Sequence, residues 1–370
     1  MRLGNVWQLG IKELRGLWRD PAMIVLIVYA FTAAVYAQAT VQPETLNKAP
    51  ISIVDEDRSP LSERIVSAFY PPYFTTPALI TRDEMDRRMD AGIDTFALDI
   101  PPDFQRDVLA GRSPAIQLNV DATRMTQAFS GAGYVQTIVS NEISAFLARS
   151  QTPETPPVDL ALRVRFNPDL THSWFGSVMA VINSITMLAM VLTGAALIRE
   201  REHGTIEHLL VMPVTAVEIM VSKIWSMGLV VFVAAFVSLL LIVQGLLHVV
   251  VQGSVALFMA ASALDIAAAA TMGIALATVA ESMPQFGLLI MLVLLPLQVL
   301  SGGMTPRESM PEIVQNLMLL APNTHFVILA QAILFRGAGF DLVWPQFLTL
   351  FGIAAALFGF ALWRFRGFLR

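Results

Sequence analysis

Six stretches of this chain run for about twenty residues with scarcely a charge: 22–39, 173–198, 224–250, 254–280, 285–303 and 344–364. An α-helix needs about 20 apolar residues to cross the hydrocarbon of a bilayer, so each stretch reads as a membrane span. Composition agrees. Only 14% of the 370 residues are charged and mean hydropathy is +0.62, against about 25% charged residues in an ordinary soluble domain. The expected fold is an α-helical multi-pass membrane protein of six transmembrane helices, with a soluble α/β domain inserted after the first.

Charge sets the expected topology. Arg2, Lys12, Arg15 and Arg19 precede the first span, Arg199, Arg201 and Lys223 flank the loop after the second, and Arg364, Arg366 and Arg370 form the tail. The short loops of the opposite side hold only Arg307 and Arg336. Short cytoplasmic loops carry the excess of lysine and arginine, which places both termini in the cytoplasm. Residues 3–19 read as an amphipathic helix with Trp7, Ile11, Leu14 and Trp18 on one side and Lys12, Arg15 and Arg19 elsewhere, a pattern suited to the membrane interface. Ala37-Gln38-Ala39 resembles a signal-peptidase site, but the charged segment before it is long for a signal peptide, so 22–39 is expected to be retained.

Residues 40–172 change character. Alternation at Ile51–Val54, Phe96–Ile100, Ile116–Val120 and Leu162–Phe166 predicts strands. Between them lie helical stretches after Ser59-Pro60, after Thr81-x-x-Glu84, over 102–110 and over 124–149, with Gly92 and Gly111 as stops. The expected organisation is therefore an interfacial helix at 1–21, a span at 22–39, a periplasmic α/β domain at 40–172, and five spans over 173–370. After the fifth span, Ser309-x-x-Glu312 and residues 324–336 predict two short helices, interfacial or re-entrant, neither long enough to cross comfortably.

The segment 199–223 is a charged island between two apolar runs. Its charges cannot lie in hydrocarbon, so it must surface on one side. Residues 205–212 predict a short helix with Ile206, Leu209, Leu210 and Val211 beside Glu207 and His208, stopped at Pro213. Thr215-x-x-Glu218 is a capping box that opens a further helix. Such a helix suits docking into a groove of another protein; a connecting loop on the headgroups fits the pattern as well.

Several chemistries are absent. The chain has no cysteine, which removes thiol catalysis, disulfides and cysteine-based metal sites. Its three lysines, Lys12, Lys48 and Lys223, follow Ile11, Asn47 and Ser222, so no glycine–lysine phosphate loop exists. If ATP drives this chain, another chain hydrolyses it. His203 and His208 are five apart, not the four that puts two ligands on one helical face, so no metal is expected. There is no Gly-x-Ser-x-Gly elbow, and a net charge of −5 gives no reason to expect a nucleic-acid partner. Asp265 interrupts an apolar run; it is read as structural, near the outer end of its span or against a partner helix, although intramembrane carboxylates are often functional. Pro296 and the Gly302-Gly303 pair predict a kinked, close-packed or mobile end to the fifth span, which could be a gate or ordinary tight packing. The 18 methionines lie mostly in or beside spans; ordinary packing explains them, and an adaptable lining for apolar substrates would use the same residue.

The strings REREHGTIEHLLVMPVTAVEIMVSKIWSMGL, LVLLPLQVLSGGMTPRESMP and APNTHFVILAQAILFRGAG, with ELR near the start and FNPDL before the second span, resemble the ABC-2 type transporter permeases that carry a large domain between the first two spans. The likeness extends over essentially the whole chain. It implies a bacterial inner-membrane exporter subunit without catalytic residues. ATP and magnesium would belong to a partner ABC ATPase, and a lipophilic or drug-like substrate would be moved. It implies a homodimer or a heterodimer with a related permease, and a periplasmic membrane-fusion (adaptor) protein that the exported domain could meet. The family's coupling helix maps onto Gly204, Thr205, Ile206, Glu207, Leu209, Leu210, Met212 and Pro213, with Glu200 and Glu202 just before it. A pathway or gate would include Asn183, Gln298, Gly302 and Gly303. The rival expectation is a membrane anchor that transmits movement between an ATPase and a periplasmic partner without transporting anything.

Overall fold

The computed structural model describes residues 2–40, 48–121, 125–150, 172–204, 213–303, 307 and 310–368. The chain divides into two compact units, Met1–Gln42 with Val164–Arg370, and Pro43–Arg163.

The first unit is helical. An amphipathic helix α1 (Leu3–Trp18) is followed by α2 (Pro21–Phe31) and α3 (Ala33–Thr40). After the second unit come α8 (His172–Glu202), α9 (Ala216–Ser238, continued by a π-helical stretch Leu239–Leu246), α10 (Val255–Ala277) and α11 (Met283–Leu300). The short α12 (Glu312–Met318) and α13 (Pro322–Ala330, with a π-helical end Gln331–Phe335) precede α14 (Phe340–Phe368). Six of these stretches are long and apolar enough to cross a membrane, α2 with α3 counting as one. The protein is thus a multi-pass helical membrane protein with an inserted α/β unit, as the hydropathy pattern predicts. The spans are mostly longer than their uncharged runs, because charged residues at the ends still fit the helix: α8 stays helical through Glu202 and α9 begins at Ala216. The loop expected at 199–223 is correspondingly shorter.

The helix α8 is the most enclosed span and α14 the least. Its closest neighbour is α10. A Cβ on Gly273 would lie 2.2 Å from the Met190 carbonyl oxygen, and one on Gly194 2.8 Å from that of Gly273. Small residues let membrane helices approach until backbones touch, where van der Waals packing replaces the missing hydrophobic drive.

The first span is not the continuous helix its composition suggests. It breaks at Thr32 (φ −123°, ψ −81°), which frees carbonyls beside the break. Ser184 of α8 donates to the Ala30 carbonyl at 3.0 Å and Ser238 of α9 to that of Phe31 at 2.6 Å. Hydroxyls from neighbouring helices are how a broken helix meets its hydrogen-bond needs inside a bilayer. The two short helices expected before α14 are present. They form a pair bent by 89°, and α13 is not interfacial: Asn323, Thr324, Phe326, Leu329 and Ala330 are all fully buried. It is seated inside the bundle.

The second unit carries a four-stranded sheet in the order β2-β1-β3-β4, built from β1 (Ile51–Asp55), β2 (Ala78–Leu79), β3 (Phe96–Ile100) and β4 (Gln117–Val120). β1 pairs in parallel with β2 and β3, and β4 runs antiparallel to β3 with Leu98 opposite Leu118. One face buries Ile51, Ile53, Phe96, Leu98 and Ile100 under α4 (Pro60–Ser67), α6 (Phe104–Leu109) and α7 (Met125–Ser150). The other packs Val54 and Ala97 on Met85 of α5 (Arg82–Asp90). Capping boxes at Ser59 and Thr81 start α4 and α5, and left-handed Gly92 and Gly111 follow α5 and α6. The two-residue β2 was not foreseen, being too short for alternation to register. The strand expected at Leu162–Phe166 lies outside the described residues.

Candidate functional site at the basic end of the bundle

The ends of α1, α2, α8, α9, α10 and α11 meet at the end of the bundle that carries the short basic loops. At its centre two lysines and two glutamates alternate. Lys12 donates to Glu200 at 2.6 Å, Lys223 lies 2.7 Å from the other oxygen of Glu200, and Lys223 donates to Glu13 at 2.9 Å. The four charges cancel. The Lys223 side chain is only 2% exposed, two turns inside α9, so its charge is tolerable only with both carboxylates in place. Breaking a buried pair by removing one partner costs about 3–5 kcal/mol. Burial raises the Glu13 carboxyl above the usual carboxylate range, although the Lys223 charge pulls the other way. Burial works against the Lys12 ammonium, but the hydrogen bond and charge of Glu200, with the charge of Glu13, hold it above the usual lysine value.

The helix α1 is thereby tied to α8 through Lys12 and to α9 through Glu13. Its apolar contacts reinforce the same attachment. Trp7 stacks on Trp225 with ring centroids 5.0 Å apart and planes 1° from parallel. The Trp225 indole nitrogen donates to the Val6 carbonyl at 3.2 Å, and Gly10 leaves room for that indole. The buried line of α1 is Val6, Gly10 and Leu17, and Trp18 points outward.

The last turn of α8 fixes its neighbours one by one. Arg199 pairs with Asp20, whose other oxygen caps α2 by accepting from the Met23 amide at 3.2 Å. Arg201 donates to the Ala280 carbonyl just past α10 at 2.7 Å. Glu202 accepts from the Met283 amide at 2.9 Å, placing a carboxylate at the positive end of α11. Gly204 then takes φ +65°, the left-handed conformation that ends a helix and that a side chain would strain. Across the loop, Thr215 and Glu218 form the expected capping box, and Glu218 also accepts from the Arg2 amide.

Of the expected coupling residues, Glu200, Glu202, Gly204 and Pro213 flank the loop, and the structure gathers the first two into this network. Thr205, Ile206, Glu207, Leu209, Leu210 and Met212 lie outside the described residues. Sequence reasoning did not find Glu13, Gly10 and Trp225, and took Lys223 and Lys12 only as topology markers. The one signal available was scarcity: of three lysines in the chain, two converge on one glutamate.

The expected pathway residues lie toward the other end. Gly303 packs on α8, where its Cβ would meet the Met179 side chain at 2.0 Å, and Gly302 is left-handed at φ +93° beside Arg307. Asn183, one turn along α8 from Met179, is half-buried, and its Oδ1 has no hydrogen-bond donor among the described residues. Gln298 is half-buried near the end of α11, where its carbonyl accepts from Ser301 at 3.2 Å. The geometry brings Gly303 to α8 but forms no hydrogen bond between Asn183 and Gln298. Among the described residues no group of three His, Asp or Glu side chains could hold a metal ion.

Residues 21–363 match the model of a family described as ABC-2 family transporter protein. The chain belongs to that family. The chain is 62% identical to the inner membrane transport permease YhhJ of Escherichia coli K12 over 364 residues, covering 98% of this chain and 97% of that one. The probable multidrug ABC transporter permease YbhR of the same organism is 27% identical, covering 95% of both chains. The related YbhS is 26% identical over 90% of this chain and 89% of its own. As an ABC-2 family chain it is a transporter membrane subunit rather than a catalytic enzyme, and family membership implies an ABC ATPase as partner.

Proposed function

We propose that this chain is the permease subunit of an ATP-driven exporter in a bacterial inner membrane, with both termini cytoplasmic. It is moved by a separate ATPase that docks on residues 205–212. One observation supports this above the others. The two chain ends that flank that segment, Glu200–Gly204 and Pro213–Lys223, are bound into a charge-neutral collar with α1, α2 and α11, in a chain with no phosphate loop of its own. A force applied to the segment therefore reaches several spans at once. ATP and magnesium stay on the partner, and two permeases, alike or related, make the working unit. Asn183, Gln298, Gly302 and Gly303 lie along the pathway. The similarity to YbhR and YbhS, probable multidrug permeases, favours a lipophilic or drug-like substrate. The inserted α/β unit meets a periplasmic adaptor.

The test is transport by the permease with its ATPase in proteoliposomes. Glu202→Ala removes the acceptor at the start of α11, and Gly204→Val strains the left-handed turn. Each should leave membrane insertion intact and uncouple ATP hydrolysis from substrate movement. Normal export by both variants would overturn the docking assignment. ATP hydrolysis without movement of any substrate by the unaltered protein would favour the anchor reading.

A further inference from the structure

Halfway along α10, Asp265 is fully buried and faces α8 rather than the end of its span. One of its oxygens lies 2.9 Å from the hydroxyl of Thr186, and that hydroxyl lies 3.0 Å from Oδ1 of Asn323, at the start of α13. Asn323 in turn donates from Nδ2 to the carbonyl of Leu297 on α11 at 3.0 Å. Among the described residues no lysine, arginine or histidine contributes charge at Asp265.

The direction of this chain of bonds can be worked out. A backbone carbonyl only accepts, so the amide nitrogen of Asn323 must face Leu297 and its oxygen must face Thr186. The Thr186 hydroxyl has one hydrogen. It sits between an amide oxygen and a carboxyl oxygen, with the Ile182 carbonyl a distant third acceptor at 3.4 Å. If Asp265 were ionised, Thr186 could satisfy only one of its two near neighbours. Either the carboxylate would be left without a donor in hydrocarbon, or Asn323 Oδ1 would face a lone pair at hydrogen-bond distance. A proton on Asp265 removes the conflict. Asp265 then donates to Thr186, Thr186 to Asn323, and Asn323 to Leu297, with every link pointing the same way.

We propose that Asp265 is a proton-binding site in the middle of the membrane, held as the neutral acid in this arrangement, and that its proton completes a hydrogen-bonded tie through α10, α8, α13 and α11. The tie crosses Thr186 in the most enclosed span and ends at Leu297, next to Pro296 inside α11. An ionised Asp265 could not keep both links of Thr186 satisfied, so loss of the proton and breaking of this tie are one event. The ligand is a proton and not a metal cation, because the intervening oxygens are already joined in a directed series that needs one more hydrogen and no central ion.

The experiment is infrared spectroscopy of the full-length protein in lipid at neutral pH, with Asp265→Asn, Asp265→Leu and Thr186→Val alongside. The unaltered protein should show the C=O stretch of a buried protonated carboxyl, shifted in heavy water and missing from Asp265→Asn. Thr186→Val should keep that band but move its frequency, since the acid loses its acceptor. Asp265→Asn, which can donate to Thr186 in the same way, should retain thermal stability, while Asp265→Leu should lose it. Absence of the band from the unaltered protein, equal destabilisation by Asn and Leu, or stabilisation by sodium that depends on Asp265 would each overturn the proposal.

Discussion

Gly10 lies under the indole of Trp225 so closely that a Cβ on it would fall 2.1 Å from the ring carbon Cζ2. The absence of a side chain at one position of α1 therefore decides whether that helix can lie on α9. Gly10→Leu should lift α1 from the bundle and expose its buried line. A cysteine placed at Val6 reports this cleanly, since the natural chain has none. Maleimide should label it slowly in the otherwise unaltered protein and quickly in the Gly10→Leu background. Equal rates would show that α1 is not held by this contact.

Lys223→Met leaves Glu13 and Glu200 facing each other without the cation between them. The expected loss is about 3–5 kcal/mol, the usual cost of orphaning one side of a buried pair. The loss should depend on pH. Burial already sets the folded-state pKa of Glu13 above its ordinary value, so Glu13 binds a proton more readily in the folded chain than in the unfolded one. Stability from such a group is fully present below the ordinary carboxylate pKa and is lost as pH rises through the raised one. Removing Lys223 takes away the charge that lowers it, which moves that raised value further up. Thermal unfolding measured from about pH 5 to 8 should therefore show a deficit that grows with pH, and Lys223→Met with Glu13→Gln should flatten it. A deficit independent of pH in the single variant would contradict the assignment.

Gly273→Ala should destabilise more than Gly194→Ala. The added carbon at Gly273 meets the Met190 backbone at 2.2 Å, whereas at Gly194 the nearest atom is the Phe286 ring, which can turn aside. Overpacking costs about 1–3 kcal/mol where neighbours can shift, and more where a backbone must move. Gly287, with nothing within 4 Å of its added carbon, is the control. Gly287→Ala in the interior of α11 should be neutral or stabilising by about 0.5–1 kcal/mol. The order of the three unfolding temperatures checks the close approach of α8 and α10.

Ser184→Ala and Ser238→Ala each remove the donor to a carbonyl beside the break at Thr32. Side-chain hydrogen bonds between membrane helices average about 0.6 kcal/mol and reach about 1.7. Each variant should lose stability within that range, and the double variant more than either. No loss in the double variant would show that those carbonyls find other donors.

Hydropathy and charge made the six spans legible because insulation from lipid acts on each residue separately and leaves its mark in a local run. The capping boxes at Thr81 and Thr215 were legible for the same reason, since both partners lie three residues apart. The collar was not. Lys12 and Glu200 are separated by 188 positions and Glu13 and Lys223 by 210, and nothing local marks them as partners. Asp265 stood out, and of the two places open to it the structure takes the one against a partner helix; its neighbour there, Thr186, was not legible, because its hydroxyl looked like any other in an apolar run. The break in the first span was hidden too, because the residues that make it tolerable, Ser184 and Ser238, belong to other helices.

The interrupted first span amounts to two short rods joined by a swivel whose bearings are lent by neighbours. Turning the second rod disturbs two serine hydroxyls and leaves both helical ladders intact. A turn of Ala33–Thr40 against Pro21–Phe31 can therefore be taken up at Thr32, leaving undisturbed the capped start of the span at Asp20 and the ion pair that Asp20 makes with Arg199.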